Sequence, residues 1–291
     1  MSHTHGHDPH HSGHGVFDDE RVALMIGAEG ESAGPLTAEA IERATAALRG
    51  GRDDVRRVAD LGCGPGVEAC ALATAFPAAL IVALDGSPAM RAAAQRRVGE
   101  AGLSARVEVG AIDLDGDLSS LGAFDLVWTA QALHHLRDEA ATLARVAALL
   151  RPGGVLCVLE RLDPAELVAS DDLGRPGLWE RVAGAQAAWH ADRSASAPAT
   201  GLEGYAALVG EAGFGVVDSG PLRSVATLEG SPGAAPLVAR YVQGALRNLT
   251  DRLDPADIEA LRALDGGGSA RVSHLEVRQS RTLVIGRAPG A

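Results

Sequence analysis

The sequence predicts an α/β protein in which a mostly parallel sheet carries helices on both faces. Three observations lead there. From Arg57 to Leu159, short apolar runs alternate with helical stretches, the order that builds strand–helix–strand units. The runs, VADL and LIVAL among them, are apolar at consecutive positions, as strands buried on both faces are. A chain of 291 residues with 46% hydrophobic composition is also long enough for one large domain with its own core.

Residues 1–15 hold six of the ten histidines without any apolar period. This predicts a disordered arm with nonspecific affinity for transition metals and no specific metal site. Residues 16–50 read as a helical lid. Its first helix runs from Phe17 to Ile26 with Asp18 as cap, Gly34 and Pro35 make a stop, and a second helix spans Thr37 to Leu48, with Ile41, Ala44 and Leu48 at helical spacing.

Residues 51–291 form the main domain. Strands are expected at Arg57–Leu61, Leu80–Leu84, Arg106–Val109, Phe124–Thr129 and Val155–Leu159, and helices at Val67–Ala75, Pro88–Glu100 and Leu136–Leu150. RPGG at Arg151–Gly154 is the expected stop before the fifth strand. A cap insertion of about residues 161–200 breaks the alternation and contains a helix from Gly177 to Ala191. A helix from Gly201 to Ala212 follows. FGVVDSG and SRTLVIGRA suit a terminal antiparallel pair. Between them lies a helical insertion of about residues 233–266, with helices from Pro236 to Leu253 and from Pro255 to Leu264, the second opened by Asp254.

Composition restricts the partners. A net charge of −12 disfavours nucleic acid and anionic membranes, because an acidic protein releases no counterions from either. No apolar run nears the roughly 18 residues of a membrane span. A small-molecule partner and a cytoplasmic location are expected, and the oligomeric state is left open. Cys63, Cys70 and Cys157 form no CxxC pair and read as reduced thiols. All 26 lysine-or-arginine positions are arginine in an Ala- and Gly-rich chain, which suggests a GC-rich bacterial genome.

The chemistry concentrates in VADLGCGPGVEA, Val58 to Ala69. Gly62, Gly64 and Gly66, between a strand and a helix, let a ligand approach the backbone at the carboxyl edge of the sheet. A dinucleotide fingerprint needs a further glycine where Val67 stands, and Pro65 offers no N–H to a phosphate. Asp60 would repel an anionic cofactor and suits one with ammonium and sulfonium charges, as S-adenosylmethionine has. Asp85 ends the next strand, placed to accept from ribose hydroxyls, although a turn with Ser87 would also explain it. Asp113, Asp115 and Asp117 have the spacing of a calcium loop. Leu118 and Phe124 occupy its glycine and glutamate positions, which rejects calcium.

VADLGCGPG, ALDGSPAM, AIDLDG, FDLVWTAQALHHL and LLRPGG, in this order, resemble the successive motifs of class I S-adenosylmethionine-dependent methyltransferases. The likeness is specific from about Val58 to Glu160 and looser to the final strand. It implies a Rossmann-like seven-stranded sheet of order 3-2-1-4-5-7-6 with an antiparallel last strand. It further implies S-adenosyl-L-methionine as cofactor, with Asp60 near the methionine amino group and Gly62, Cys63 and Gly64 close to the ligand. Asp85 and Gly86 would hold the ribose, and Met90, Asp113 and Leu114 would surround the adenine. Thr129 and Gln131 would face the methionine end.

Methyl transfer from a sulfonium is an in-line displacement at carbon, so such an enzyme chiefly positions reactants and excludes water. His134 and His135, just past the fourth strand, are the candidate bases for a protonated nucleophile; capping or packing of the next helix is the alternative. Trp179, Gln186 and His190 share one stripe of the cap helix with Val182. With Glu160 at the end of the fifth strand they are the candidate acceptor pocket, though core packing explains Trp179 equally well. These features predict O-, N- or C-methylation of a small organic acceptor in bacterial secondary metabolism. The alternative is a protein that binds S-adenosylmethionine or its demethylated product without methylating. A nicotinamide oxidoreductase conflicts with Asp60, Pro65 and Val67, and a metal carrier would rest on the His-rich arm alone.

Overall fold

The structure, a computed structural model, describes residues 20–169, 174–196, 201–228, 234–265 and 275–290. The His-rich arm, Phe17 and Asp18 lie outside the described residues. The strands β1 (Arg57–Leu61), β2 (Leu80–Asp85), β3 (Val107–Ala111), β4 (Phe124–Ala130), β5 (Leu150–Ala169), β6 (Gly215–Thr227) and β7 (Leu275–Arg287) form one sheet of order β3-β2-β1-β4-β5-β7-β6. The first five run parallel, and β7 lies antiparallel between β5 and β6.

Three apolar clusters hold the helices in place. On one face α2 (Gly34–Ala47), α3 (Val67–Ala75) and α4 (Pro88–Glu100) press Ala40, Ala44, Ala69, Ala73 and Ala94 against Val58, Ile81, Leu126 and Trp128. These alanines are fully buried, so the helices sit close to the strands. On the other face α5 (Glu139–Ala147) and α7 (Leu202–Glu211) bury Leu143, Val146, Tyr205 and Val209 against Ala59, Val127, Leu156 and Val158. Each such Leu or Val contributes roughly 1.5–3 kcal/mol. The third cluster joins α1 (Glu20–Ser32), α6 (Leu178–Ser196), α8 (Ala234–Asn248) and α9 (Pro255–Asp265) to the overhanging parts of β5 and β7 through residues such as Ala28, Leu167, Trp179, Val238, Leu261 and Val277.

Several boundaries differ from the sequence reading, each for a physical reason. Helix α1 continues past Ile26 to Ser32, through two glycines. A Cβ on Gly30 would stand 3.2 Å from Val67, and one on Gly27 3.1 Å from the Arg97 guanidinium. The cost of about 1 kcal/mol for a helical glycine is thus offset by close packing on the glycine loop. Gly34 and Pro35 open α2 rather than closing α1, because a proline in the first turn gives up no helical hydrogen bond. Helix α5 starts at Glu139, capped by Asp138, whose side chain accepts from the Ala141 N–H at 2.9 Å; Leu133–His135 form a separate 3₁₀ turn.

RPGG does not stop the chain before β5. Leu150 pairs with Phe124 and Val155 with Leu126, so the residues between them bulge out within the strand, with Gly153 at φ 78°. At its other end β5 runs on from Glu160 to Ala169, with Glu166–Ala169 paired to Arg278–Leu275 of β7. The residues assigned to the cap therefore begin as a strand that overhangs the sheet, and helix appears only at Leu178. Strands β6 and β7 extend beyond FGVVDSG and SRTLVIGRA to build the same wall.

Candidate active site

Strand order reverses between β1 and β4, opening a crevice at the carboxyl ends of the strands. A cavity of about 1570 Å³ occupies it, bounded by the glycine loop, the ends of β2 and β3, the segment after β4, the overhanging β5–β7–β6 wall and α6. Gly62, Gly64 and Gly66 take φ values of 77°, 52° and 81°. A Cβ on Gly62 would run into Ala132, and one on Gly66 would meet the Ala94 backbone at 3.0 Å. Backbone freedom and close packing both demand glycine here. The Gly62 and Cys63 N–H groups donate to the Leu84 carbonyl at 2.8 and 3.0 Å, fixing the loop to the end of β2.

Asp85 organises the next turn. Its two oxygens accept from the Gly64 and Ser87 N–H groups, each at 2.8 Å, so it serves both as turn residue and as lining of the cavity. A carboxylate oxygen has more than one lone pair, so these bonds are compatible with ribose hydroxyls. Ser87 caps α4 by accepting from the Met90 N–H at 3.2 Å. Gly64, Cys63, Gly86, Met90, Asp113 and Leu114 all line the cavity. Leu114 is pinned through its carbonyl, which accepts from Thr142 and Arg145 at 3.3 and 3.0 Å.

Asp60 lies in β1, 1% exposed, with Oδ2 lacking a hydrogen-bond partner among the described residues. Burial, reinforced by repulsion from Glu68 and Asp85, pushes its carboxyl well above the ordinary value of 3.8. Thr129 is not brought to the cavity. Asp60 does not line it either: both are buried within the sheet, Asp60 in register with Trp128 and Thr129 one residue further along β4 on the opposite face. Gln131 does line the cavity, and at φ 53° it is the one non-glycine among the described residues with positive φ, a conformation that costs energy for a side chain of its kind.

His134 and Glu160 form a pair at the cavity wall. The His134 Nδ1 lies 2.7 Å from Glu160 Oε2, while Oε1 accepts from the Leu133 N–H at 2.9 Å. Glu160 is 1% exposed and His134 is open to the cavity. The His135 ring stands 3.9 Å from that of His134, and burial, then the neighbouring imidazole, lowers its pKa from 6.5 to about 4. His135 is therefore neutral near pH 7. The cap-helix stripe divides: Gln186 and His190 line the cavity, whereas Trp179 is 3% exposed within the third apolar cluster, 6.2 Å from the Tyr241 ring, and does not line it. Trp179 fills the core because α6 turns that side toward α8.

Sequence reasoning misses a charged cluster. Glu29 of α1 meets Arg161 of β5 at 2.9 Å, Arg240 of α8 at 3.0 Å and Arg281 of β7 at 3.6 Å. Burial opposes the Glu29 carboxylate, but Arg240, Arg161 and Arg281 outweigh it and hold its pKa below the ordinary value. Burial lowers Arg281 to about 10 despite Glu29. No local pattern announces this cluster, since Glu29 and Arg161 are 132 positions apart.

Comparison with known proteins agrees with this geometry. A family profile described as a methyltransferase domain matches residues 59–156. A trans-aconitate 2-methyltransferase of Methylobacterium nodulans is 34% identical over 212 residues, covering 70% of this chain and 72% of that one. One from Deinococcus radiodurans is 42% identical over 105 residues, but there the match spans 35% of this chain and 36% of the relative. Among solved structures, a Galdieria sulphuraria protein proposed to be a sarcosine dimethylglycine methyltransferase superposes with a TM-score of 0.53 at 15% identity, covering 89% of this chain and 87% of that one. The cyclase SpnF does so at 0.52 and 20%, covering 90% and 82%. The chain belongs to the class I S-adenosylmethionine-dependent methyltransferases, with their Rossmann-like sheet.

The residues present fit that cofactor. An unpartnered carboxylate oxygen at Asp60, buried two residues before the glycine loop, suits an ammonium group, the glycine loop admits a ligand to the backbone, and Asp85 lines the cavity at the end of β2. Among the described residues no group of His, Cys, Asp and Glu is arranged to hold a metal, and no helix is long and apolar enough to cross a membrane.

Proposed function

We propose that the protein transfers the methyl group of S-adenosylmethionine to an oxygen of a small organic acceptor. The carrying observation is the His134–Glu160 pair in the cavity wall. Bound cofactor supplies an electrophilic methyl on a sulfonium. An amine or thiolate attacks such a methyl unaided, whereas a hydroxyl or protonated acid must first lose a proton. Glu160 already accepts a backbone N–H, so its second oxygen accepts the Nδ1–H of His134 and leaves Nε2 as the proton acceptor. On this reading His134 is the base and Glu160 its positioning residue, with His135 packed beside it.

The name of the relatives, trans-aconitate 2-methyltransferase, supports a small acceptor molecule. Asp60, Gly62, Cys63, Gly64, Asp85, Gly86, Met90, Asp113, Leu114 and Gln131 are proposed to hold the cofactor, and Gln186 and His190 to border the acceptor. The lysine-free composition supports a bacterial source, with secondary metabolism as the proposed setting.

Mass-spectrometric detection of S-adenosylhomocysteine formed with trans-aconitate and a panel of phenols and hydroxy acids tests this reading. His134→Ala should lower turnover about 10²-fold or more, and Glu160→Gln about tenfold, on any phenol or hydroxyl acceptor the wild type methylates, whereas a carboxylate already deprotonated near neutral pH needs no base. Full activity of His134→Ala would remove the base. Cofactor binding without turnover across the whole panel would favour the non-methylating alternative, which the fold alone does not exclude.

A further inference from the structure

We infer that Arg161 and Arg240 form an anion subsite for a carboxylate of the acceptor, and that Glu29 of the lid helix α1 occupies it when no acceptor is bound. The inference rests on the proposed methyl transfer only in calling the ligand an acceptor; the subsite itself stands on the geometry. Glu29, Arg161 and Arg240 all line the cavity. The two Glu29 oxygens are shared between the guanidiniums, Oε1 with Arg161 at 2.9 Å and Oε2 with Arg240 at 3.0 Å. Arg281 approaches Oε1 at 3.6 Å but is 1% exposed and already donates to Gln279 Oε1 at 2.6 Å and the Ser280 carbonyl at 3.0 Å. Arg281 is the fixed floor of the cluster, and Arg161 and Arg240 are the arms that face the cavity.

Glu29 is the carboxylate in direct contact with the cluster, while Glu68 and Glu160 act on Arg281 from further off. Among the described residues one carboxylate contacts three guanidiniums, two of which are more than a third exposed at the cavity wall. A guanidinium presents five donors and binds carboxylates in a forked geometry, so Arg161 and Arg240 have donors to spare for a second anion. Glu29 is carried on a helix that packs closely at Gly27 on Arg97 and Pro65 and at Gly30 on Val67. Its carboxylate thus acts as an internal stand-in for the ligand's. A purely structural ion pair makes the opposite forecast: removing Glu29 loosens the lid and gains nothing for an anion.

Calorimetric titration of the full chain with tricarballylate and with its neutral trimethyl ester separates the two. The acid should bind and the ester should not. Glu29→Gln keeps the shape but removes the competing charge, and should tighten tricarballylate binding about fivefold or more; Arg161→Gln and Arg240→Gln should each weaken it about tenfold. No binding of the acid to wild type, equal or weaker binding by Glu29→Gln, or unchanged binding by both arginine variants overturns the inference. Each titration is run with and without S-adenosylhomocysteine. Binding of that ligand reports separately on the cofactor site, so the subsite stands or falls on the acid titrations even if the methyltransferase reading fails.

Discussion

On the proposed reading, Asp60 is unfavourable for folding and favourable for binding. Its folded pKa is raised by burial. Its contribution to stability is therefore fully present below the ordinary 3.8 and is lost as pH climbs through the raised value. Asp60→Asn should raise the melting temperature of the ligand-free protein near neutral pH, by about 2–4 °C for each kcal/mol relieved, and weaken cofactor affinity about tenfold. Scanning calorimetry and titration on the same variant check both signs, and a variant that loses stability and keeps affinity would refute the assignment. Asp60, Gly62, Gly64 and Asp85 could be proposed from the sequence because they fall on one short loop and the strand ends beside it. Glu29 and its arginines are not, because they meet only after α1, β5, α8 and β7 are assembled.

Among the elements, α6 is the one whose pattern divides between two tasks. A stripe of Trp179, Val182, Gln186 and His190 reads as one face, yet Trp179 and Val182 join the third apolar cluster while Gln186 and His190 reach the cavity. Helical spacing gives direction around the axis and says nothing of what stands opposite each turn. Trp179→Ala should destabilise the protein by about 3–5 kcal/mol in chemical denaturation, whereas Gln186→Ala should stay within about 0.5 kcal/mol. Equal small effects would mean that Trp179 is not core. The overhang of β5 escaped the sequence for a related reason. Its outer half pairs with β7, more than a hundred residues away, beyond register shifts on either side of Asp163.

For the whole molecule, alternation of apolar runs and helices was enough to read a parallel, doubly covered sheet. The order of its strands is not written in periodicity and follows only from the family resemblance, which the topology matches. The same topology places the glycine loop, Asp85 and the β4 end around one crevice. The decisive experiment is titration of the protein with S-adenosylmethionine, S-adenosylhomocysteine and NAD, repeated with Asp85→Asn. Both sulfur ligands should bind, Asp85→Asn should weaken them about tenfold, and NAD should not bind. Binding of NAD, or of neither sulfur ligand, would contradict the cofactor site described above.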